Sequence, residues 1–140
     1  MPLTGVLAGV ALTALVQSST IVTGLCIVMA QQGILTTYTA IPIVIGTNIG
    51  TTLKGLLITL EMKGPARRVA LSSICFNAAG VLLILPFLRP FGAAMADLSK
   101  DPGISLAWVQ FLFNLGMTIV GLFLIRVLRD RIPQANHAVS

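Results

Sequence analysis

ALTALVQSSTIVTGLCIVMA, residues 11–30, sets four consecutive hydrogen-bonding side chains inside a run apolar enough to sit in lipid. The run covers about residues 3–30, more than one simple crossing needs, and Gln17, Ser18, Ser19 and Thr20 interrupt it near its middle. It reads as one tilted helix with a polar patch, or as a re-entrant hairpin with arms of about 14 and 10 residues. The hairpin is preferred, because each arm is too short to cross alone.

Composition supports a membrane setting. Of the 140 residues, 56% are hydrophobic and only 9% charged, against roughly a quarter charged in an ordinary soluble domain. So few charges cannot cover a soluble surface of this size, and an all-α integral membrane protein is expected, solvated mostly by lipid. The net charge of +5 does not point to nucleic acid, because the basic residues form no stripe with interleaved aromatics. They stand at the ends of apolar segments, where they orient a chain in a bilayer. MPLTGVLAG, at residues 1–9, lacks a basic region, so no cleavable signal peptide is expected. Cys26 and Cys75 fall in apolar stretches and read as inert thiols. His137 is alone in a polar tail, 132–140, so no metal cluster or catalytic dyad can form around it. With no nucleophile–base pair, an enzyme is not expected, and no cofactor is implied.

Four apolar blocks follow one another, at about 3–30, 34–61, 68–88 and 104–128, within a single unit covering 1–131. PFLRPFG (86–92) and SKDPG (99–103) punctuate the later ones with proline, glycine and charge. The third and fourth blocks suit one crossing each. The second is broken near its middle by GTNIGTT (46–52), which predicts two half-helices, 34–46 and 52–61, joined by unwound backbone. Lys63, Arg67 and Arg68 share a face with Arg126, Arg129 and Arg131, while Arg89 and Lys100 lie opposite beside Asp97 and Asp101. The positive-inside rule makes the richer face cytoplasmic, in a multi-pass protein of the plasma (inner) membrane. The N-terminus is then outside if the first block is a hairpin, and inside if it spans.

Unwound backbone survives in a bilayer only where protein or a watery cavity satisfies it. Thr47, Asn48, Thr51 and Thr52 offer hydroxyl and amide oxygens, hard donors suited to alkali or alkaline-earth cations. Half-helices starting near Thr51 and after QSST would present N–H groups that attract anions. Two broken segments meeting near the midplane are a sign of a transporter site. The competing reading is close helix packing: Gly46-xxx-Gly50 is formally a GxxxG, and for Gly5-xxx-Gly9 packing is the better reading. Ser73 and Asn77 share one face of the third span, and Gln110, Asn114 and Thr118 make a polar line on the fourth. They either bond between helices or line a pathway. Lys54, close behind the second break, either snorkels to the cytoplasmic edge or acts at the site.

TALVQSSTIVTGL (13–25), AIPIVIGTNIGTT (40–52) and ARRVALSSICFNAAGVLLILPF (66–87) together resemble one repeat of the sodium/phosphate cotransporter family, over roughly residues 4–128. The resemblance implies sodium-coupled uptake of inorganic phosphate through two inverted repeats, each bringing a hairpin and a broken helix to a shared site. It would put Gln17, Ser18, Ser19 and Thr20 in the first motif and Thr47, Asn48, Gly50, Thr51 and Thr52 in the second. Sodium, the coupling ion, would then be held by Gln17, Ser18, Asn48 and Thr51. Only one copy of the two-motif unit is present, so a second repeat or an oligomeric partner, such as a dimer mate, would complete the site. Thr20 replaces a usual serine, Lys54 replaces a common threonine, and Ser73 and Gln110 stand where many bacterial members have histidine. Another oxyanion or ion as cargo, or a non-transporting assembly subunit, remain the competing functions.

Overall fold

The computed structural model describes residues 2–61 and 63–131, so the tail at 132–140 with His137 lies outside the described residues. Every regular element among them is helical: α1 (Pro2–Val16), α2 (Ser19–Gln31), α3 (Thr37–Glu61), α4 (Pro65–Ile84), a 3-10 turn (Leu85–Phe87), α5 (Leu88–Leu98) and α6 (Pro102–Arg131). Three helical runs are long and apolar enough to cross a membrane: Thr37–Glu61, Pro65–Leu98 and Pro102–Val127. The chain is thus an all-helical, multi-pass membrane protein. α1 and α2, with 15 and 13 residues, are only about 22 and 20 Å long, short of a hydrocarbon core of about 30 Å.

The chain ends α1 and starts α2 within two residues. The Gln17 N–H still bonds the Thr13 carbonyl at 2.7 Å, but its φ of 58° is left-handed. Ser18 is extended, and its Oγ accepts from the Ile21 N–H at 3.3 Å, capping the new helix. Ser19 and Thr20 already belong to the first turn of α2, so the break is narrower than the four-residue polar run.

α3 is the central helix, and glycines decide what lies against it. A Cβ on Gly5 would meet Pro42, and one on Gly9 the Ile43 backbone. In return, Gly46 lies on the Val6 carbonyl and Gly50 on Thr13 and Val10. α1 therefore runs parallel to α3, backbone against backbone. α2 turns back: Gln31 Nε2 donates to the Asp101 carboxylate at 3.2 Å, and Gly103 packs on Gln31 and Ile27. Both outer ends of the α1–α2 hairpin thus lie where α3 and α6 begin. Continuing the α1–α3 register by one turn sets Gln17 level with Lys54, about 10 Å before α3 ends at Glu61.

Two sequence expectations are corrected. GTNIGTT does not unwind; α3 is continuous through all 25 residues, not two half-helices. Its glycines serve the close approach of α1. Its polar side chains donate to their own helix: Thr47 to Val44, Asn48 to Ile45, Thr51 to Thr47 and Thr52 to Ile49, at 2.7–3.2 Å. The helix carries these groups without breaking. PFLRPFG, expected to interrupt, is helical too. Pro86 and Pro90 fall in the first turns of the 3-10 segment and of α5, where a missing N–H removes no helical bond. α5 then buries Leu88, Gly92 and Met95 at helical spacing, with Ile41 against Gly92.

At the start of α6, Asp101 accepts from the Gly103 N–H at 2.7 Å and from the Ile104 N–H at 3.3 Å, with Pro102 opening the helix. The core gathers Val22, Cys26, Ile41, Val44, Ile45, Leu106 and Val109 around α3. Beyond it the lower half of α6 stands bare, with Ile119, Leu122, Phe123 and Ile125 exposed as a lipid-facing helix would be. Cys26 and Cys75 are both free thiols.

Two predictions follow from these contacts. Gly46→Ala should lower stability by about 1–3 kcal/mol, since the Val6 backbone must move. Gly55→Ala, with open space around it, should be neutral or stabilise by up to about 1 kcal/mol; thermal unfolding in detergent compares them. Asp101 is held below its ordinary carboxylate value by the Gln31 bond first and the Gly103 N–H next. A depressed folded value means its stabilisation is present above the ordinary carboxylate range and lost as pH falls through the folded value. Asp101→Ala should therefore lower stability at neutral pH, with the difference from wild type shrinking as pH drops below about 4.

Candidate functional site

The two polar segments differ in what they have left to offer. At the hairpin break the Ile21 N–H is taken by Ser18 Oγ and the Val22 N–H by the Ser18 carbonyl at 3.3 Å. The first-turn N–H groups of Ser19 and Thr20 have no such backbone partner, as at any helix start. The hairpin tip is thus a place of hydrogen-bond donors at a positive helix end. α3 is the reverse. With the protons of Thr47, Thr51 and Thr52 directed to backbone carbonyls, these hydroxyls have only oxygen lone pairs left, while Asn48, with one amide N–H on Ile45, keeps its carbonyl oxygen and a second N–H. A surface of acceptors suits a cation; a tip of donors suits an oxyanion.

Position separates the candidates further. Thr47, Gly50 and Thr52 are buried, Asn48 is half-buried, and Thr51 and Lys54 are exposed. Gly50 lies in the seam with α1. Thr51, Asn48 and Thr52 follow around the helix away from that seam, Thr51 and Asn48 about 60° apart. At the tip, Ser18 and Ser19 are half-buried, and Gln17 and Thr20 are exposed. The fold therefore brings the hairpin tip and the polar turn of α3 to one depth, with Thr51 and Lys54 on an uncovered strip.

The pattern of the Na+/Pi-cotransporter family matches residues 1–127. The chain belongs to the Na+/Pi-cotransporter family. The family is one of transporters, not enzymes. Sodium-dependent phosphate transport protein 2A of Oryctolagus cuniculus is 36% identical over 91 residues, covering 61% of this chain and 14% of that protein. The human sodium-dependent phosphate transport protein 2B is 34% identical over 132 residues, covering 85% of this chain and 19% of its own length. The uncharacterized protein YqeW of Bacillus subtilis is 33% identical over 108 residues, or 77% of this chain and 35% of YqeW. The chain thus spans between a seventh and about a third of the length of these relatives. No solved structure matches.

Within this family member, the residues of the later helices are spread out. Ser73 and Asn114 are exposed, and Asn77 and Gln110 half-buried. None of the four bonds across α4 and α6 among the described residues, so they do not form the interhelical hydrogen bonds that were one reading of them. Gln110 Oε1 is buried without a partner, as are Thr13 Oγ1 and Thr23 Oγ1. Sequence reasoning passed over Thr13 and Thr23. The signal for Thr13 was its place one turn before Gln17 in an apolar run, on the face that meets Gly50.

Gln17 holds a left-handed φ that costs a side-chain-bearing residue about 1–2 kcal/mol. Gln17→Gly should therefore leave stability unchanged or raise it by about 1 kcal/mol, whereas β-branched Gln17→Val should lower it. Thermal unfolding of the two variants reads this, and a marked loss for Gln17→Gly would show that the amide side chain itself holds the turn.

Proposed function

We propose that this chain is one half of a sodium-coupled transporter of inorganic phosphate, working by alternating access with a second, inverted repeat. That repeat comes from the rest of a longer chain or from a second subunit. The α1–α2 hairpin enters the bilayer as a re-entrant loop, and its tip meets α3 near the midplane. The observation that carries this reading is the pairing at one depth of a donor-bearing helix start with an acceptor-bearing helix face, in a member of this family. Relatives named as sodium-dependent phosphate transport proteins support the cargo. A Salmonella typhimurium relative named as a putative inorganic phosphate export protein, 34% identical over 87 residues, supports phosphate independently of direction.

Phosphate takes the N–H groups of Ser19 and Thr20 and the hydroxyls around them, where the α2 dipole favours an anion. Sodium takes oxygen from Gln17, Ser18, Asn48 and Thr51, and offsets the charge of the anion beside it. Keeping Gln17 in a conformation that glycine would adopt freely supports a role for its amide. Lys54, level with Gln17, adds positive charge at the same depth. Ser73, Asn77, Gln110 and Asn114 line the route to the site. Because α1 and α3 touch backbone to backbone, they move as one body, and the alternation occurs between this repeat and its counterpart. The basic ends of α3 and α6 face the cytoplasm of the plasma (inner) membrane.

Purified protein in liposomes should accumulate radiolabelled phosphate when sodium is higher outside, and not in potassium. Ser18→Ala and Asn48→Ala should each abolish uptake while leaving the oligomer intact, and Lys54→Thr should change the sodium dependence. Sodium-indifferent uptake would remove the coupling. No uptake by a correctly assembled oligomer would favour an assembly subunit.

A further inference from the structure

A cavity of about 570 Å³ opens between α1, α3 and the start of α5, at the end of the molecule away from the hairpin tip. Its polar lining is Arg89, Tyr38, Thr39 and Thr4; the rest is apolar, including Ile41 and Leu88. Along the shared register it lies roughly 15 Å from the level of Gln17. It is therefore separate from the candidate transport site.

Depth and charge say what belongs there. α4, with 20 residues, is about 30 Å long and fills one crossing by itself. Arg89 follows within five residues of its end, past the 3-10 turn, which sets it at the membrane boundary. Tyr38, 60% exposed, stands at the start of α3 on the same boundary, where tyrosine is favoured. Arg89 is exposed, and no carboxylate among the described residues pairs with it; Asp101 is taken by Gln31 and the start of α6. A guanidinium and hydroxyls at the rim of a mostly apolar cavity match a phosphate that carries hydrocarbon. A free phosphate ion would leave its hydration shell against apolar walls.

We propose that this cavity holds an anionic phospholipid. Arg89 grips the headgroup phosphate as a bidentate donor, Tyr38 and Thr39 reach the ester region, and an acyl chain follows the apolar wall. The site anchors the α1–α3 seam to the start of α5 from the lipid side. It does not depend on the chain moving phosphate.

Native mass spectrometry of delipidated protein, re-supplied with phosphatidylglycerol or phosphatidylcholine, tests this. Wild type should retain phosphatidylglycerol about tenfold better, Arg89→Lys should keep much of that preference, and Arg89→Gln should lose it. Phosphatidylglycerol bearing a photoreactive acyl chain should cross-link wild-type protein at residues 38–43 and 88–92. Equal retention of the two lipids, an unchanged Arg89→Gln, or cross-links confined to other helices would overturn the assignment. Displacement of the lipid by millimolar inorganic phosphate would also overturn it, making this a free-phosphate site.

Discussion

The structure depends on the contact of α1 with α3, where glycine at Gly5, Gly9, Gly46 and Gly50 leaves out the Cβ atoms that would hold the two helices apart. In lipid, helices gain little from burying apolar surface against one another, so close packing has to supply the association. The seam also fixes a depth. With α1 locked in register, the chain has no freedom over where its break falls, and Gln17 arrives level with Lys54, within a turn of Thr51. One alanine-sized addition at Gly46 would disturb both the packing and the meeting of the two polar segments.

From that meeting comes a division of labour in hydrogen bonding. α3 spends its threonine protons internally, so exposed Thr51 offers only oxygen to its surroundings, and half-buried Asn48 still has its carbonyl oxygen and one N–H. α2 begins at half-buried Ser18 and Ser19 and has spare N–H groups because helix starts always do. In the proposed site the ligands are neutral groups, with Lys54 the one ionised side chain at that depth, which matters where an isolated charge is expensive. Thr51 and Lys54 are exposed on the open strip, where the proposed second repeat would cover them.

How legible was this in the sequence? The membrane class was plain from composition, and the helix break at Gln17–Ser18 fits the preferred of two readings, since arms of about 14 and 10 residues are each too short to cross. The continuity of α3 was not plain. Gly46 and Gly50 can mean either a broken helix or a close neighbour, and only the position of Val6 and Thr13 decides between them. Threonine and asparagine likewise look like helix breakers until their bonds to Val44, Ile45, Thr47 and Ile49 are seen. PFLRPFG misled for a related reason: Pro86 and Pro90 each open a new helical turn, where proline is harmless. The membership of Gln17, Ser18, Asn48 and Thr51 in one site was argued from oxygen chemistry and family resemblance. The fold brings their segments to one depth.

The account rests on the chain doubling back at Gln17–Ser18, and one distance addresses that directly. Spin labels at Leu3 and Gln32, in protein reconstituted into lipid with Cys26 and Cys75 replaced by alanine, give it by pulsed electron resonance. The hairpin predicts a separation below about 30 Å, because both labels lie at the same end of α3. A separation near the roughly 44 Å of one straight helix across this stretch would contradict the hairpin, and the site with it.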